Sequence, residues 1–545
     1  MFWGLSAWYS HWQQDRENTK VLDRLHQTTI HSARPICEIS GVAGMSVGIL
    51  HHGKVIFRDN LGLRNAHDKL PPDSQTIYGI GSLTKAFTAV ALSNLLDDHP
   101  NITLDTPVDS ILPDYVPEDK KLRDQVTLAD FLSHRSGLSG DLSFAMQGDF
   151  ETLLPKDQLL PTVSRLPTVT PIRTQWLYNN WGYAIAGAVI EKLSGKTFGT
   201  YLSESVLSPL GLHHTTFSPH SGPNSNFASP HISLRNATPL PFTTTSFFKS
   251  TFFEPSGGLH SNINDLLKWS ASVLHAPNST PILRHLPSHL TNQIPLSSPS
   301  HAFRFYGLGW SRTQLPGVVG LMGDNVDVFP VSELPILGAG APPMVTYYHQ
   351  GSAPGYYSSL FLFPSTSSAV VVLTNSLPLN DAADWLAQAY ISALFDFPSP
   401  ANYVSLAKES CREKIQRMDA IQPTFDEIRR THPGDKPRFP LASYAGRYFN
   451  SAGNFFIDVR PHPGANPESS LQLRFQGRET QGYELRHLRG EVFEWSLGCD
   501  ESARRGRFPE MEGGYFEVRF EVVGDGGGVG RLTWAGGVGM VRGGV

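Results

Sequence analysis

The pattern of apolar residues near the start of the chain predicts a β-hairpin. Residues 45–50 and 55–58 are rich in apolar side chains, and they flank the turn-like segment 51–54. Residues 356–363 and 369–374 show the same texture and are joined by a Pro-Ser-Thr-Ser-Ser segment. This pattern predicts a second hairpin much further along the chain.

Between the two hairpins, apolar residues recur every three or four positions in two segments, as along one face of a helix. The first set is Leu83, Ala86, Phe87 and Val90, and the second is Tyr183, Ala186, Gly187 and Ile190. The spacing predicts amphipathic helices over 82–96 and 181–193, and a third helix is predicted over 381–395. Strands at both ends with helices between them favour an antiparallel sheet that carries helices, an α+β architecture.

Two long segments, about 218–255 and 313–343, are rich in proline, glycine, serine and threonine and lack sustained periodicity. We predict that both are loops. Long loops in enzymes often form the walls of a pocket, so these segments are candidates for that role.

The pattern of residues along the chain changes near residue 437. Short β-rich runs then alternate with glycine and charged turns, at the spacing of a small barrel or sandwich. The runs are 455–459, 471–475, 492–495, 515–522 and 531–534. We therefore predict a first domain over 1–395, a helical connector over 396–436 and an all-β module over 437–545.

Composition narrows the range of partners. The net charge is -5 and the pI is near 6.5, with no basic stripe, so nothing indicates a nucleic acid or an acidic membrane surface as partner. No apolar run approaches the roughly 18 residues that a membrane span needs. Cys37, Cys411 and Cys499 lie far apart, which suits a reducing compartment and not a zinc site. Without a convincing signal peptide, we expect a cytoplasmic protein with a small-molecule substrate.

Ser82 and Lys85 form the first candidate for chemistry. Three positions apart on a helix, the two side chains lie on one face and one turn from each other. A serine hydroxyl becomes a good nucleophile when a base removes its proton, and a lysine serves as that base when burial keeps it neutral. The pair alone is a weak signal because most such pairs are ordinary helix surface.

Two further segments add weight to this pair. Tyr178 and Asn180 share one short segment directly before the second predicted helix, so a phenol for proton transfer and an amide for a substrate carbonyl lie together. His349, Gly351 and Ser352 follow the apolar run 345–348, which we interpret as an edge strand. The glycine there would permit close approach of a substrate backbone.

In this order, the three elements resemble the serine β-lactamase and penicillin-binding-protein family, closest to its class C, D-aminopeptidase and esterase branch. Segments 131–138, 255–259 and 306–310 are similar to further motifs of that family. The resemblance covers roughly residues 40–395 and implies a β-lactamase/transpeptidase-like α+β fold with a mostly helical subdomain. The terminal module resembles the family's small lipocalin-like barrel.

The resemblance implies an acyl-enzyme mechanism without a metal or an organic cofactor. Ser82 would attack an ester or amide carbonyl with Lys85 and Tyr178 as proton-handling partners, and backbone N–H groups of Ser82 and Ser352 would hold the oxyanion. Asn180, His349, Gly351 and Ser352 would bind the substrate, an ester, an amide or a short peptide. Water as the acceptor gives a hydrolase, and another acceptor gives an acyltransferase.

One position departs from the pattern of many β-lactamases, which carry Lys-Thr-Gly where this chain has His349-Gln350-Gly351. A lysine supplies a permanent cation for a substrate carboxylate, whereas histidine, with an ordinary pKa of about 6.5, is mostly neutral at pH 7. This departure argues against β-lactams and favours ester or D-residue peptide substrates.

Two other interpretations stay open at this level. Gly44-Met45-Ser46-Val47-Gly48 matches the nucleophile elbow of α/β-hydrolases, although the strand continues through Ser46 where an elbow would turn into a helix. The second is a protein of the same fold that binds ligands without catalysis.

Overall fold

The computed structural model describes residues 19–218, 225–242, 248–275, 280–296, 304–462, 470–523, 528–534 and 537–543. They form an antiparallel sheet with helices on both faces, followed by a closed β-barrel. The α+β class and the terminal barrel predicted from the sequence are confirmed. No helix within these ranges is long and apolar enough to cross a membrane.

Eight antiparallel strands form the central sheet, in the order β2-β1-β8-β7-β6-β5-β4-β3. They are β1 (Gly44–His51), β2 (Lys54–Gly62), β3 (Ile294–Pro295), β4 (Arg304–Tyr306), β5 (Ser311–Leu315), β6 (Met344–Ala353), β7 (Tyr356–Phe363) and β8 (Ser368–Thr374). Both predicted hairpins are present, as β1-β2 and β7-β8. Shorter ribbons pair Tyr78–Gly79 with His260–Ser261, His231–Ser233 with Pro239–Pro241, and Gly317–Val318 with Ile336–Leu337.

Six longer helices lie within the described ranges. They are α1 (residues 19–40), α2 (Thr84–Leu96), α3 (Asn180–Ser194), α4 (Ile263–His275), α5 (Ala382–Leu394) and α6 (Tyr403–Thr431). Short α-helical turns are Val108–Ile111, Lys120–Gln125, Leu128–Leu132, Leu159–Val163, Phe198–Leu202, Glu254–Gly257, Leu286–His289, Asn325–Val328 and Cys499–Arg504. Helix α4 packs on β1 and β8 and α5 on β7 and β8, which explains why every residue of β7 and β8 is buried.

Helix α2 differs from its prediction in two ways. It begins at Thr84, and Ser82 lies in a preceding 3₁₀ turn, Gly81–Leu83. The prediction of an amphipathic helix is wrong because every residue of α2 except Asn94 is buried. A helix that is apolar on all sides belongs in the interior, so α2 is the central helix that carries the candidate nucleophile into the core.

Strand β6 also corrects a prediction. It lies between β7 and β5, so the interpretation of 345–348 as an edge strand is wrong. However, β5 pairs only with residues 344–348 of β6. In the described part of the chain, residues 349–353 pair with β7 on one side and face the Gly81–Leu83 turn on the other. In the half of β6 that carries the predicted site residues, one side of the strand therefore pairs with no other described strand and is covered by the Gly81–Leu83 turn.

The two predicted loops contain short elements. Segment 218–255 includes His231–Ser233 and Pro239–Pro241, and 313–343 includes the Asn325–Val328 turn. Residues 219–224 and 243–247 of the first segment lie outside the described residues. Proline and glycine break the periodicity in both segments, which explains why elements of two to four residues left no signal.

The C-terminal module is an eight-stranded closed antiparallel barrel. Its strands are β9 (Gly446–Phe449), β10 (Phe456–Pro461), β11 (Leu471–Phe475), β12 (Gly482–Arg489), β13 (Val492–Glu494), β14 (Glu517–Val523), β15 (Gly528–Trp534) and β16 (Val538–Arg542). The predicted runs do not include β9, β12 and β16, in which charged residues and glycine are mixed with apolar residues. Aromatic side chains fill the interior, among them Tyr448, Phe475, Trp495, Phe520 and Trp534.

The barrel contacts the first domain directly. The Gln481 side-chain amide donates to the carbonyl of Gly148 at 2.8 Å, and the backbone N–H of Asp149 donates to the carbonyl of Arg505 at 2.7 Å. Helix α6 is tied to the barrel by an ion pair between Arg429 and the buried Glu494. These bonds hold the segment that follows Arg505 next to residues 141–150. The domain boundaries at 395 and 436 remain predictions.

Candidate active site

Ser82 occupies a turn that only glycine permits. Gly81, directly before it, has φ +50°, and a Cβ there would lie 2.6 Å from the carbonyl oxygen of Ser352. The backbone of this turn therefore lies in direct contact with the backbone of β6. As a result, the hydroxyl of Ser82 sits at the start of α2 with strand β6 beside it.

Lys85 is fully buried and lies against Ser82. Its Nζ is 2.9 Å from the Ser82 Oγ, and it donates to Asn180 Oδ1 at 2.7 Å and to the carbonyl of Ser256 at 2.8 Å. The last two partners are acceptors only, so they use two N–H bonds of the amine. A neutral amine then directs its lone pair at Ser82, where it can accept the hydroxyl proton.

Burial favours that neutral form. Desolvation lowers the pKa of Lys85 well below its ordinary value. An ion pair with a carboxylate would oppose this effect, but Lys85 forms none in the described part of the chain. The surroundings thus prepare the amine as a base.

Tyr178 completes a hydrogen-bonded chain around the nucleophile. Its hydroxyl donates to Ser82 Oγ at 2.6 Å, and Lys85 Nζ lies 4.8 Å from the centre of its ring. Burial raises the pKa of Tyr178, so the phenol keeps its proton. The chain runs from the phenol to the serine hydroxyl to the lysine amine, an arrangement able to move a proton in either direction.

Asn180 is positioned by the start of α3. Asn179 caps the helix by accepting from the backbone N–H of Trp181 at 2.9 Å. The next residue, Asn180, points its Oδ1 at Lys85, so its Nδ2 is the donor left for a substrate carbonyl. The sequence predicted this helix at Trp181, one residue later than it begins.

Gly351 and Ser352 lie against the nucleophile turn. A Cβ on Gly351 would be 2.2 Å from the carbonyl oxygen of Ile80 and 3.0 Å from the backbone nitrogen of Ser82. Because Gly351 has no side chain, the protein's own backbone can approach it closely. The sequence interpretation had assigned this close approach to a substrate backbone. A Cβ on Gly81 would likewise lie 2.7 Å from the backbone nitrogen of Ser352, so this part of β6 and the nucleophile turn approach each other closely through their backbones.

His349 is in the same strand but is buried, with 1% of its surface exposed. Its Nε2 is 3.0 Å from the hydroxyl of Tyr306, and its Nδ1 bonds the carbonyl of Gln350. Burial, together with the nearby Lys85, lowers the pKa of His349 to about 3. Both ring nitrogens of the neutral imidazole are therefore occupied. The hydrogen bond from Tyr306 to Nε2 links this residue to the Tyr306 side chain.

The sequence missed three groups that position this chemistry. The carbonyl of Ser256 fixes Lys85, and the neutral His134 accepts from the backbone N–H of Asn179 at 3.0 Å. Asp130, also buried, bonds both Arg135 and Arg173 and thereby holds the loop that carries His134. All three lie in or next to the segments 131–138 and 255–259, whose similarity to family motifs was the available signal.

A cavity of about 590 Å³ opens in front of Ser82. Its lining includes the polar residues Ser82, Tyr178, Asn180, Ser256 and Ser352. Its apolar walls come from both predicted loops, from the segment before α3 and from the barrel: Trp176, Phe248, Phe253, Leu321, Met322, Val326, Phe508 and Pro509. The cavity therefore has room for a molecule larger than a single small ester.

Ser46 does not form a nucleophile elbow. It lies within β1, is fully buried, and bonds Asn60 Oδ1 at 2.7 Å and the hydroxyl of Tyr78 at 2.9 Å. The three cysteines are free and buried. Within the described ranges, no group of three or more His, Cys, Asp or Glu residues is arranged to hold a metal.

The sheet, the central helix and the Ser-Lys-Tyr constellation together define the β-lactamase and penicillin-binding-protein class. The chain belongs to the beta-lactamase family, whose model matches residues 33–393. The resemblance inferred from the motifs is thereby confirmed, and the family is one of serine hydrolases and acyltransferases.

Individual relatives are distant. The unguisins hydrolase of Aspergillus campestris is 25% identical over 426 residues, 75% of this chain and 73% of the relative. Penicillin-binding protein 4 of Amycolatopsis lactamdurans is 25% identical over 311 residues, 55% of this chain and 73% of the relative. The octameric penicillin-binding protein homologue from Pyrococcus abyssi has a TM-score of 0.55 at 20% identity, covering 96% of this chain and 100% of that one. This last likeness concerns the fold alone.

Proposed function

We propose that the protein is a serine hydrolase that acts on ester or amide bonds through an acyl-serine intermediate. The observation that carries the proposal is the position of Ser82 Oγ between Lys85 Nζ at 2.9 Å and the Tyr178 hydroxyl at 2.6 Å. A nucleophile bonded to a neutral buried amine and a protonated phenol has both a base and an acid within reach.

In the acylation step, Lys85 Nζ takes the hydroxyl proton as Ser82 Oγ forms a bond to the carbonyl carbon. The carbonyl electrons move to oxygen, which the N–H groups of Ser82 and Ser352 stabilise. When the intermediate collapses, the bond to the leaving group breaks. Tyr178 donates its proton to the departing atom, and the proton on Lys85 replaces it.

Deacylation repeats these steps with water as the nucleophile. Water gives its proton to the Lys85 and Tyr178 pair as its oxygen attacks the acyl carbon, and Ser82 Oγ regains a proton as it leaves. An acyltransferase differs only in the acceptor, which replaces water. We favour hydrolysis because one relative is named for hydrolysing unguisins.

The neutral state of His349 bears on the substrate. Because burial lowers the pKa of this imidazole to about 3 and its nitrogens are occupied, it offers no cation to a substrate carboxylate. Substrates whose carboxylate depends on such a cation are therefore disfavoured, and β-lactams would belong to this group. Esters, amides and short peptides with apolar groups fit the aromatic and aliphatic walls of the cavity.

Labelling with a fluorophosphonate followed by peptide mapping tests the proposal. We expect one adduct, on Ser82, which is absent in Ser82→Ala and retained in Ser46→Ala. Turnover of chromogenic esters and D-residue amides should disappear in the first variant only. A folded wild-type protein that neither labels nor turns over any ester would support the non-catalytic alternative, and product formed only when an alcohol or amine acceptor is added would support the acyltransferase.

The pH dependence of acylation follows from Lys85. Since burial holds its pKa well below the usual value, the amine is neutral above that lowered pKa and protonated below it. We therefore expect kcat/KM to rise with pH through the lowered pKa of Lys85 and then level off, because Tyr178 keeps its proton to high pH. Initial rates on an uncharged ester from acid to alkaline pH give the profile. A rate that falls as pH rises across this range would contradict Lys85 as the base.

A further inference from the structure

Within the described ranges, the half of β6 that carries Ser352 has a neighbouring strand on one side only. Residues 349–353 pair with β7, and the Gly81–Leu83 turn lies along the other side. The position of this half-strand therefore depends on fewer backbone hydrogen bonds than that of a fully paired strand. A small shift of it would change the distance between the Ser352 and Ser82 N–H groups, which we propose as the donors to the oxyanion.

One side chain of this half-strand is bonded to a helix outside the sheet. Gln350 is buried, and its Nε2 donates to Oδ1 of Asp384 at 2.8 Å. Asp384 lies in the first turn of α5, a helix that packs on β7 and β8. The hydrogen bond thus reaches from β6, the next strand of the sheet, to α5. It fixes the half-strand from a third direction, in addition to β7 and the nucleophile turn.

Asp384 acts purely as an acceptor toward two amides. Its Oδ2 accepts from Nε2 of Gln388 at 2.8 Å, as its Oδ1 does from Gln350. Burial raises the pKa of Asp384, and the hydrogen bonds that oppose this effect come from side-chain amides, among them those of Gln350 and Gln388. Because a carboxylate cannot donate, both amides must turn their NH₂ groups toward it. The carboxylate thereby fixes the orientation of the Gln350 side chain.

The surroundings leave Asp384 little freedom to move. Its backbone N–H donates to the side chain of Asp381, the cap of α5, at 3.0 Å. A Cβ on Gly320 would lie 2.5 Å from Asp384 Oδ2, so the segment 320–323 closes directly over the carboxylate. Residues of this segment also line the cavity in front of Ser82. The carboxylate is therefore a fixed point between α5, the cavity wall and β6.

We propose that Asp384 is a positioning residue: through its hydrogen bond to Gln350 it holds β6 at the distance from the nucleophile turn that stabilisation of the oxyanion requires. The inference rests on the proposed acyl-serine function and adds to it a buried group that does not line the cavity. Its contribution belongs to acylation, in which charge develops on the carbonyl oxygen. Binding of the substrate precedes that charge and should not depend on Asp384.

Gln350→Met and Gln388→Met form a matched pair of variants. Each removes one 2.8 Å hydrogen bond to the same carboxylate and keeps a side chain of similar length, but only Gln350 lies on β6. We expect Gln350→Met to lower the acylation rate constant about tenfold, less than the loss of an oxyanion donor would, because both donors remain and are only displaced. Gln388→Met should acylate at the wild-type rate. Stopped-flow acylation with a chromogenic ester gives the rate constants.

A binding measurement shows whether the effect is confined to the chemical step. Calorimetry on Ser82→Ala and on the double variant Ser82→Ala/Gln350→Met should give the same Kd for the ester. A Kd that rises as much as the acylation rate constant falls would mean that the substitution deforms the cavity as a whole. That result would overturn the assignment of Asp384 to the oxyanion.

Two substitutions of Asp384 itself separate its hydrogen bond from general damage. An asparagine can accept from Gln350 through its oxygen and donate to Oε1 of Gln388, which has no partner in the described part of the chain. We therefore expect Asp384→Asn to stay within about threefold of the wild-type acylation rate and Asp384→Ala to lose about tenfold. In Asp384→Ala/Gln350→Met the two losses should not add, because both substitutions remove the same bond.

Hydrogen exchange, measured by mass spectrometry, separates this inference from the proposed function. Residues 349–353 should exchange faster in Gln350→Met than in Gln388→Met, whether or not esters are turned over. If this difference appears but no ester acylates Ser82, the anchoring of β6 stands and the acyl-serine proposal fails. If esters acylate Ser82 and the two methionine variants have equal rates, whether both are reduced or both are unchanged, the positioning role of Asp384 is refuted.

Discussion

Replacement of Lys85 by methionine should lower kcat/KM on esters and amides by about 10⁴-fold, the upper end of the range for a general base. Methionine has nearly the same length and keeps the buried space filled. It removes the lone pair that faces Ser82 and both N–H bonds to Asn180 and Ser256. The hydroxyl of Ser82 would then have no base within reach.

Steady-state kinetics, with circular dichroism to verify folding, provides the measurement. Lys408→Met removes an exposed lysine from α6 and should leave kcat/KM unchanged. Lys85→Met should also lose the acid limb of the pH profile, an effect that a merely structural role of Lys85 would not produce. A folded Lys85→Met enzyme that keeps a tenth or more of the wild-type rate would show that another group takes the proton.

The parts of the site that the sequence predicted are those that depend on helical geometry. Ser82 and Lys85 are one turn apart, and Tyr178 and Asn180 share one segment, so local spacing was enough to place each pair. The contact between the two pairs is a tertiary one. It depends on α2 and α3 packing together, and only the order of the motifs and their similarity to a family indicated it.

The parts that the sequence could not place come from long-range packing. Residues 345–348 form an apolar run whether their strand is internal or at an edge, and only pairing with the short β5 decides between the two. Likewise, burial of His349 depends on Tyr306, which lies on another strand. Glu510 joins the cavity because the barrel docks on residues 141–150, a contact that no local pattern encodes.

Substitution of Gly351 by alanine should lower kcat/KM by about a thousandfold, the effect of losing an oxyanion-hole donor. The new Cβ would lie 2.2 Å from the Ile80 carbonyl, 2.4 Å from the Ser358 hydroxyl and 3.0 Å from the Ser82 nitrogen. The first contact is to backbone, which cannot rotate away. Strand β6 must therefore move from the Gly81–Leu83 turn, and the nitrogens of Ser352 and Ser82 separate.

Stopped-flow acylation with a chromogenic ester, together with thermal unfolding, distinguishes this effect from general damage. Gly434→Ala is the matched control because a Cβ there meets nothing within 4 Å, and its rate should equal that of the wild type. In Gly351→Ala the acylation rate constant should fall while Lys85 still gives the same pH profile, since its contacts are Ser82, Asn180 and Ser256 and none of them is on β6. Wild-type acylation in a folded Gly351→Ala protein would show that the oxyanion is held elsewhere than between β6 and the nucleophile turn.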